Sequence, residues 1–413
     1  MKSYFKIRLF PSFFMSKKPC AFRNILFRKV ETHMNETKVY ADGYCKSFAG
    51  EGDFLSFLKS RKDKTTWKTE PSNNLRFEAL VKDTARTDAI VDDYRSMGKE
   101  DVIEDTLDGT QLVLKAGKEC IPVRSCAIKT ILERARISGN ALSKVDRSVF
   151  ARILNHCLKV ADGQALLKVS DEKVSAVHGG DKSDYSILEM YELFTKTSDY
   201  LNENFDDVNY VGGFFDHSMV TAIWSLDGND ELVKTYKGLL ALHSVRCREL
   251  KASVRLTTSD VGISGANLYP SLIVDGRNIP LGSPLKLEHK NGATMKDFEK
   301  KLDMLYSQYD LAIGKLENLI SVTIKNPTNT MIGVMSKIGI PKKYGVPALE
   351  KFNAIHGSGM CTAHDIYYGI AEVVFYMQCA GENGVKVTQM EETVARALNV
   401  KWQEFDIPGD VKW

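Results

Sequence analysis

Apolar residues recur along this chain with two periods, and the switches between them outline its organisation. After Pro122, Ile128, Ile131, Leu132 and Ala135 fall at helical spacing, with Ser125 placed as N-cap and Ser138-Gly139 as the stop. A second helical stripe joins Val149/Phe150, Ile153/Leu154 and Cys157/Leu158. The segments ALLKV (165–169) and KVSAVH (173–178) read as strands, followed by a helix around Ser186 to Phe194. From Val208 to Lys290 the pattern is dominantly extended: VNYVGGFFD, SMVTAIWSL, LVKTYKGLLALHSV, ASVRLTTS, LYPSLIV and PLKLEHK. Short turns of Gly, Asn, Asp and Pro separate these segments, so an antiparallel sheet is expected rather than a doubly wound parallel one.

At Thr294 the helical period returns. Thr294 and Asp297 form a capping-box pattern, and Phe298, Leu302, Leu305, Tyr309, Ala312, Leu316 and Ile320 step every three or four residues. At about 1.5 Å per residue this predicts a rod of roughly 45 Å ending at Asn326-Pro327. Shorter helices are expected over Thr330–Ile338, Val346–Ala354, Asp365–Cys379 and Glu391–Leu398.

The expected fold class is therefore α+β, a central antiparallel sheet followed by a long helix and a helical C-terminal region. The chain divides into a basic extension (1–33), a polar region with brief helices (34–120), an α+β core (121–293) and a helical region packed on it (294–413).

Charge sharpens this division. The full chain carries 56 Lys/Arg against 53 Asp/Glu, a net +3, but residues 1–33 hold eight of the cations and one acid, Glu31. From Met34 onward the balance is 48 cations to 52 acids, which argues against a globally basic nucleic-acid coat. The abrupt change at MNETKVYADGY leads us to expect Met34 as the natural start and residues 1–33 as a start-site artefact or disordered tail. No apolar run reaches the roughly 18 to 20 residues of a membrane-spanning helix. The eight cysteines are dispersed without a Cys-x-x-Cys pair, which favours a reducing cytoplasm over a disulfide framework.

Two places offer chemistry. The stretch AIHGSGMCTAHDIYYGIAEV (354–373) brings together His356, Cys361, His364 and Asp365. His356, Cys361 and His364 are metal-ligand types, and His364 and Asp365 are candidate acid–base groups. A second short ligand pair of the kind structural zinc uses is missing from the sequence. The same residues also read as a capped helix start, with Thr362 as N-cap and Asp365 at N3, and we favour that reading. The other place is Val233–Leu256, where Lys234, Lys237, Arg246, Arg248, Lys251 and Arg255 face a single acid, Glu249. If HSVRCREL is a strand, Arg246 and Arg248 share one face, and with Tyr236 for stacking this face could track a nucleic-acid backbone. A solvated charged face is the alternative. The phosphate-loop patterns Gly-x-Gly-x-x-Gly and Gly-x4-Gly-Lys-Ser/Thr and the elbow Gly-x-Ser-x-Gly do not occur.

Five phrases together carry a family likeness: IPVRSCAIKTILERARISGNAL, LNHCLKVADGQALLKVSDEKVSAVHGG, LHSVRCRELKASVRLTTSDVGISGANLYPSL, LGSPLKLEHKNGATMKDF and TAHDIYYGIAEV. In these, residues 120–413 resemble the phage and plasmid protein family known as domain of unknown function 932. The resemblance implies a gene of phage, prophage or plasmid origin acting in a bacterial cytoplasm, and it supplies no catalytic residues. The resulting expectation is a non-catalytic protein without cofactor that binds single-stranded DNA or a DNA-processing partner, with room for a homo-oligomer. The alternatives are a metal-assisted enzyme at His356/Cys361/His364/Asp365 and an interaction factor such as a host-defence antagonist.

Overall fold

The alternation between Val208 and Lys290 produces the antiparallel sheet it predicts, and that sheet organises the fold. The computed structural model describes residues 38–137, 141–160, 163–180, 185–243, 247–357, 359–382 and 384–413. Its first half runs β1 (Cys45–Phe48), α1 (Glu51–Asp63), β2 (Thr65–Pro71), β3 (Leu75–Ala79), α2 (Ala85–Ser96), α3 (Glu100–Asp108), β4 (Leu112–Ala116), β5 (Glu119–Pro122), α4 (Ser125–Arg134), α5 (Arg147–Val160), β6 (Gln164–Ser170) and β7 (Lys173–Gly179). The second half runs α6 (Met190–Asn204), β8 (Val208–Asp216), β9 (Val220–Leu226), α7 (Glu231–Leu242), β10 (Leu250–Thr258), β11 (Ala266–Val274), β12 (Arg277–Pro280) and β13 (Leu285–Leu287). The remainder is α8 (Met295–Leu302), α9 (Leu305–Ser321), β14 (Thr323–Ile324), α10 (Pro327–Ile338), α11 (Lys342–His356), β15 (Cys361–Thr362), α12 (Ala363–Cys379) and α13 (Gly384–Ala395). The fold class is α+β.

The main sheet has the order β1-β8-β9-β10-β11-β12, with β13 also on β11, and every pairing is antiparallel. Registers of Arg255 with Ile223 and Tyr269, and of Val254 with Trp224, fix which side chains share a face. One face is apolar, including Trp224, Leu226, Val254, Leu256, Leu268 and Leu272, and it packs into one core with residues of α6, α7 and α9. The other carries Thr221, Ser225, Ser253, Arg255, Thr257, Asn267, Tyr269 and Ser271, yet all of these are buried. Helix α13 lies over that polar face: Gly384 sits against the Phe214 ring of β8, Glu391 meets Arg255 of β10, and the helix also contacts β12.

Two smaller sheets, β2-β6-β7 and β3-β4-β5, share a second core with α4 and α5. Residues before Cys120 are woven into this frame, since β1 pairs with β8 and β2 with β6.

Three expectations need correction. The segment LVKTYKGLLALHSV, read as extended, forms α7 over Glu231–Leu242, because Leu232, Val233, Tyr236 and Leu240 bury one helical face. The single rod after Thr294 is two helices, α8 and α9, separated at Asp303–Met304, although the Thr294/Asp297 capping box is present as expected. Ser125 is the first residue of α4 rather than its cap; the cap comes from a distant part of the chain, where Asp42 Oδ2 accepts from the Ser125 N–H at 3.1 Å.

Candidate functional site

The six cations expected to form one exposed strip are dispersed. Lys234 and Lys237 lie on α7, and Lys237 Nζ is 2.5 Å from Asp230. Arg246 lies outside the described residues. Arg248 precedes β10 and is exposed, and Lys251 Nζ is 2.9 Å from Asp227 and 3.2 Å from Glu249. Arg255 is 1% exposed, ion-paired to Glu391, with Glu392 4.0 Å away and the Tyr269 ring 4.5 Å beneath the guanidinium. HSVRCREL is not a strand where it is described, since β10 begins at Leu250. The expected basic face is therefore absent among the described residues, because its cations sit on different elements and most of those placed meet carboxylates.

The C-terminal cluster is taken up by structural bonds. Asp365 Oδ2 accepts from Thr362 N at 2.9 Å and Thr362 Oγ1 at 2.8 Å, closing the expected capping box of α12. His364 is buried, its Nε2 hydrogen-bonded to Tyr236 Oη at 2.7 Å, and burial pushes its imidazole down to about 4. His356 stacks on Phe352 at 4.5 Å. Burial, with Asp365 and Asp406 nearby, pushes the Cys361 thiol up to about 12, far from the thiolate that metal binding or attack requires. Among the described residues no three His, Cys, Asp or Glu side chains are grouped to hold a metal ion. His356, Cys361, His364 and Asp365 are thus neighbours in sequence that do not converge on a ligand set.

A cleft that the sequence pattern did not single out lies where α1, β2, β6 and the β8–β9 turn meet. It encloses about 560 Å³ when the open space at its mouth is counted, but the enclosed floor is only about 30 Å³, so any ring would have to lie at the mouth rather than inside. Helix α1 buries Phe54, Leu58 and Arg61, one stripe at i, i+4 and i+7, and the stripe carries Arg61 inward. On β6, Lys168 and Ser170 share a face while Ala165 and Leu167 fill the core behind. Register places Thr65 opposite Ser170 and Trp67 opposite Lys168, whose Nζ is 5.9 Å from the Trp67 ring.

The polar groups of the cleft are partly committed. Arg61 ion-pairs with Asp171 and donates from NH2 to Ser170 Oγ at 2.6 Å, while its Nε is buried without an acceptor among the described residues. Burial, then the like charge of Arg124, lowers its guanidinium to about 10. Asp171 also faces Arg124 at 3.6 Å and sits with Glu172 in the β6–β7 turn, both at positive φ (45° and 64°), so the two arginines hold a turn that ordinarily takes Asn-Gly. Lys168 pairs with Asp260. His217 is hydrogen-bonded from Nε2 to the Ala41 carbonyl at 3.0 Å; burial, together with Arg124, Arg61 and Lys168, drives its pKa down to about 2, so the ring is neutral and Nδ1 is an acceptor. Asp216 Oδ1 accepts from Ser218 N and Met219 N at 2.7 and 2.8 Å. Glu189 lines the cleft without capping α6, and burial raises its carboxyl.

The lining therefore mixes cations (Arg61, Lys62, Lys168), carboxyls (Glu189, Asp216, Asp260), hydroxyls and one indole face. Such a set of donors and acceptors beside a ring matches the edge and face of a heterocycle better than a bare anion. The sequence signal for it was Arg61 inside an apolar stripe; Lys168 and Asp260, far apart in the chain, gave none. No helix among the described residues is long and apolar enough to cross a membrane. The chain matches no family model, no curated protein and no solved structure.

Proposed function

We propose that the protein binds single-stranded nucleic acid without transforming it, and that the Trp67 cleft receives an unpaired base. The observation carrying this reading is the half-buried Trp67 ring lining the cleft, 5.9 Å from the buried Lys168 Nζ and 5.8 Å from the Tyr185 ring, among groups that both donate and accept hydrogen bonds. Stacking on one aromatic face supplies roughly 1–3 kcal/mol per base and tolerates any sequence, while Lys62 at the rim, ion-paired to Glu192 at 2.5 Å, would exchange that carboxylate for a backbone phosphate. The context we propose for this role, the handling of DNA from a mobile element in a bacterial cytoplasm, rests only on the resemblance of phrases in residues 120–413 to a phage and plasmid family, which no family model match supports.

The test is a titration of a labelled oligodeoxythymidylate of about 16 nucleotides across salt concentrations, read by anisotropy. Trp67→Ala should weaken binding roughly ten-fold or more. Lys234→Ala with Lys237→Ala should leave it unchanged. Equal affinity of Trp67→Ala and wild type would remove the cleft from the reading. Capture of a DNA-processing protein without any oligonucleotide affinity would replace nucleic acid by that partner.

A further inference from the structure

The polar face of the main sheet is an unusual surface to bury. Ser253, Arg255, Thr257, Asn267, Tyr269 and Ser271 alternate with the apolar core residues on β10 and β11, the arrangement of a sheet with one side toward solvent. Helix α13 nevertheless covers it. The cover satisfies the face incompletely: Arg255 Nε and NH2, Asn267 Oδ1 and Asn278 Nδ2 are buried without hydrogen-bond partners among the described residues. Buried polar groups are ordinarily paired, so these four atoms along one face are positions that water or a polar ligand would satisfy. Of the two carboxylates beside Arg255, Glu392 stands 4.0 Å off and the nearer, Glu391, is buried, which raises its carboxyl to about 7.

We propose that α13 is a displaceable cover over a second nucleic-acid surface, in which Arg255 contacts a backbone phosphate, Tyr269 stacks with a base, and Glu391 is the internal stand-in for the phosphate when the surface is empty. The guanidinium lies over the Tyr269 ring at 4.5 Å, so a cation and an aromatic face are already paired as a strand-tracking surface needs them. A phosphodiester brings the same charge as Glu391 and more acceptor oxygens, enough to meet the unpaired N–H groups of Arg255 and Asn278. The ligand's differential affinity for the open state is what would move the helix. The proposal rests on nucleic acid being the ligand of this chain.

A reversible lock tests it in the full-length protein. A Cβ built on Gly384 would lie 3.1 Å from the Phe214 ring, so Gly384→Cys with Phe214→Cys places two thiols where a disulfide can tie α13 to β8. The oxidised protein should bind the oligodeoxythymidylate at least ten-fold more weakly than the same protein after reduction, with disulfide formation verified by mass. Comparing two redox states of one folded sample removes misfolding as an explanation. Equal affinity in the two states overturns the cover and leaves the Trp67 cleft standing. Absence of binding by both the reduced and the wild-type protein overturns the cover together with the nucleic-acid reading, and lock-sensitive uptake of polyglutamate in place of the oligonucleotide overturns the proposed ligand.

Discussion

Glu391 on α13 and Arg255 on β10, 136 residues apart in the chain, form a buried ion pair. Neighbouring Glu392 adds a like charge that opposes ionisation of Glu391. Pairs of this kind hold a geometry more reliably than they add stability, because removing both charges from water offsets most of their attraction.

This pair gives stability a signed pH dependence. Burial raises the Glu391 carboxyl to about 7, above its ordinary value of 4.5, so the folded chain retains a proton there that the unfolded chain has released. The contribution is fully present below 4.5 and is lost as pH rises through about 7. Denaturation midpoints at pH 5 and pH 8 should therefore fall more in wild type than in Glu391→Gln; parallel curves would show that Glu391 is ionised throughout.

Arg124 offers a second test. Its side chain is fully buried, with NH1 donating to the Tyr40 carbonyl at 2.6 Å and NH2 to the Ser170 carbonyl at 3.4 Å, and it faces Asp171 and Asp42. Arg124→Ala should cost about 3–5 kcal/mol in chemical denaturation, since it leaves buried acceptors and carboxylates unmatched. Limited proteolysis should find new cleavage around 39–42, the segment those bonds hold.

At the start of α12, Thr362→Ala removes one half of the capping box and should lower stability by about 1 kcal/mol. Elemental analysis of purified wild type and His364→Ala should give the same metal content. A stoichiometric ion lost in the variant would return His364 to an enzymatic role.

Gly345 of α11 is closed in by the Trp413 indole, which a Cβ at that position would strike. Gly345→Ala should cost roughly 1–3 kcal/mol by overpacking. In a Trp413→Ala background most of that cost should vanish, and a double-mutant cycle measures the coupling.

What could be read from the sequence was local. Thr294/Asp297 and Thr362/Asp365 announced their helices because a cap and its N3 partner are three residues apart. The strands expected at 165–169 and 173–178 form as β6 and β7. The reading failed where another part of the chain decides. Lys234, Lys237 and Arg255 look like one basic run, but a helix and a strand separate them, and the carboxylate that takes Arg255 lies far downstream. Lys168 and Asp260 meet across 92 residues, so neither marks the cleft by its own neighbours. The misread α7 did contain a helical stripe, in Leu232, Val233, Tyr236 and Leu240; its surroundings of extended segments outweighed it.

The imidazole of His178 lies 3.8 Å from the Tyr185 ring and within 2° of parallel to it, and Tyr185 also stacks with His289 at 5.4 Å. Carbon-bound protons of His178 consequently sit in the shielding region of an aromatic ring current, and their resonances should move strongly upfield. Strand β7 and the segment after residue 185 thus carry a built-in magnetic gauge of their contact, legible in a one-dimensional proton spectrum as ligand is added.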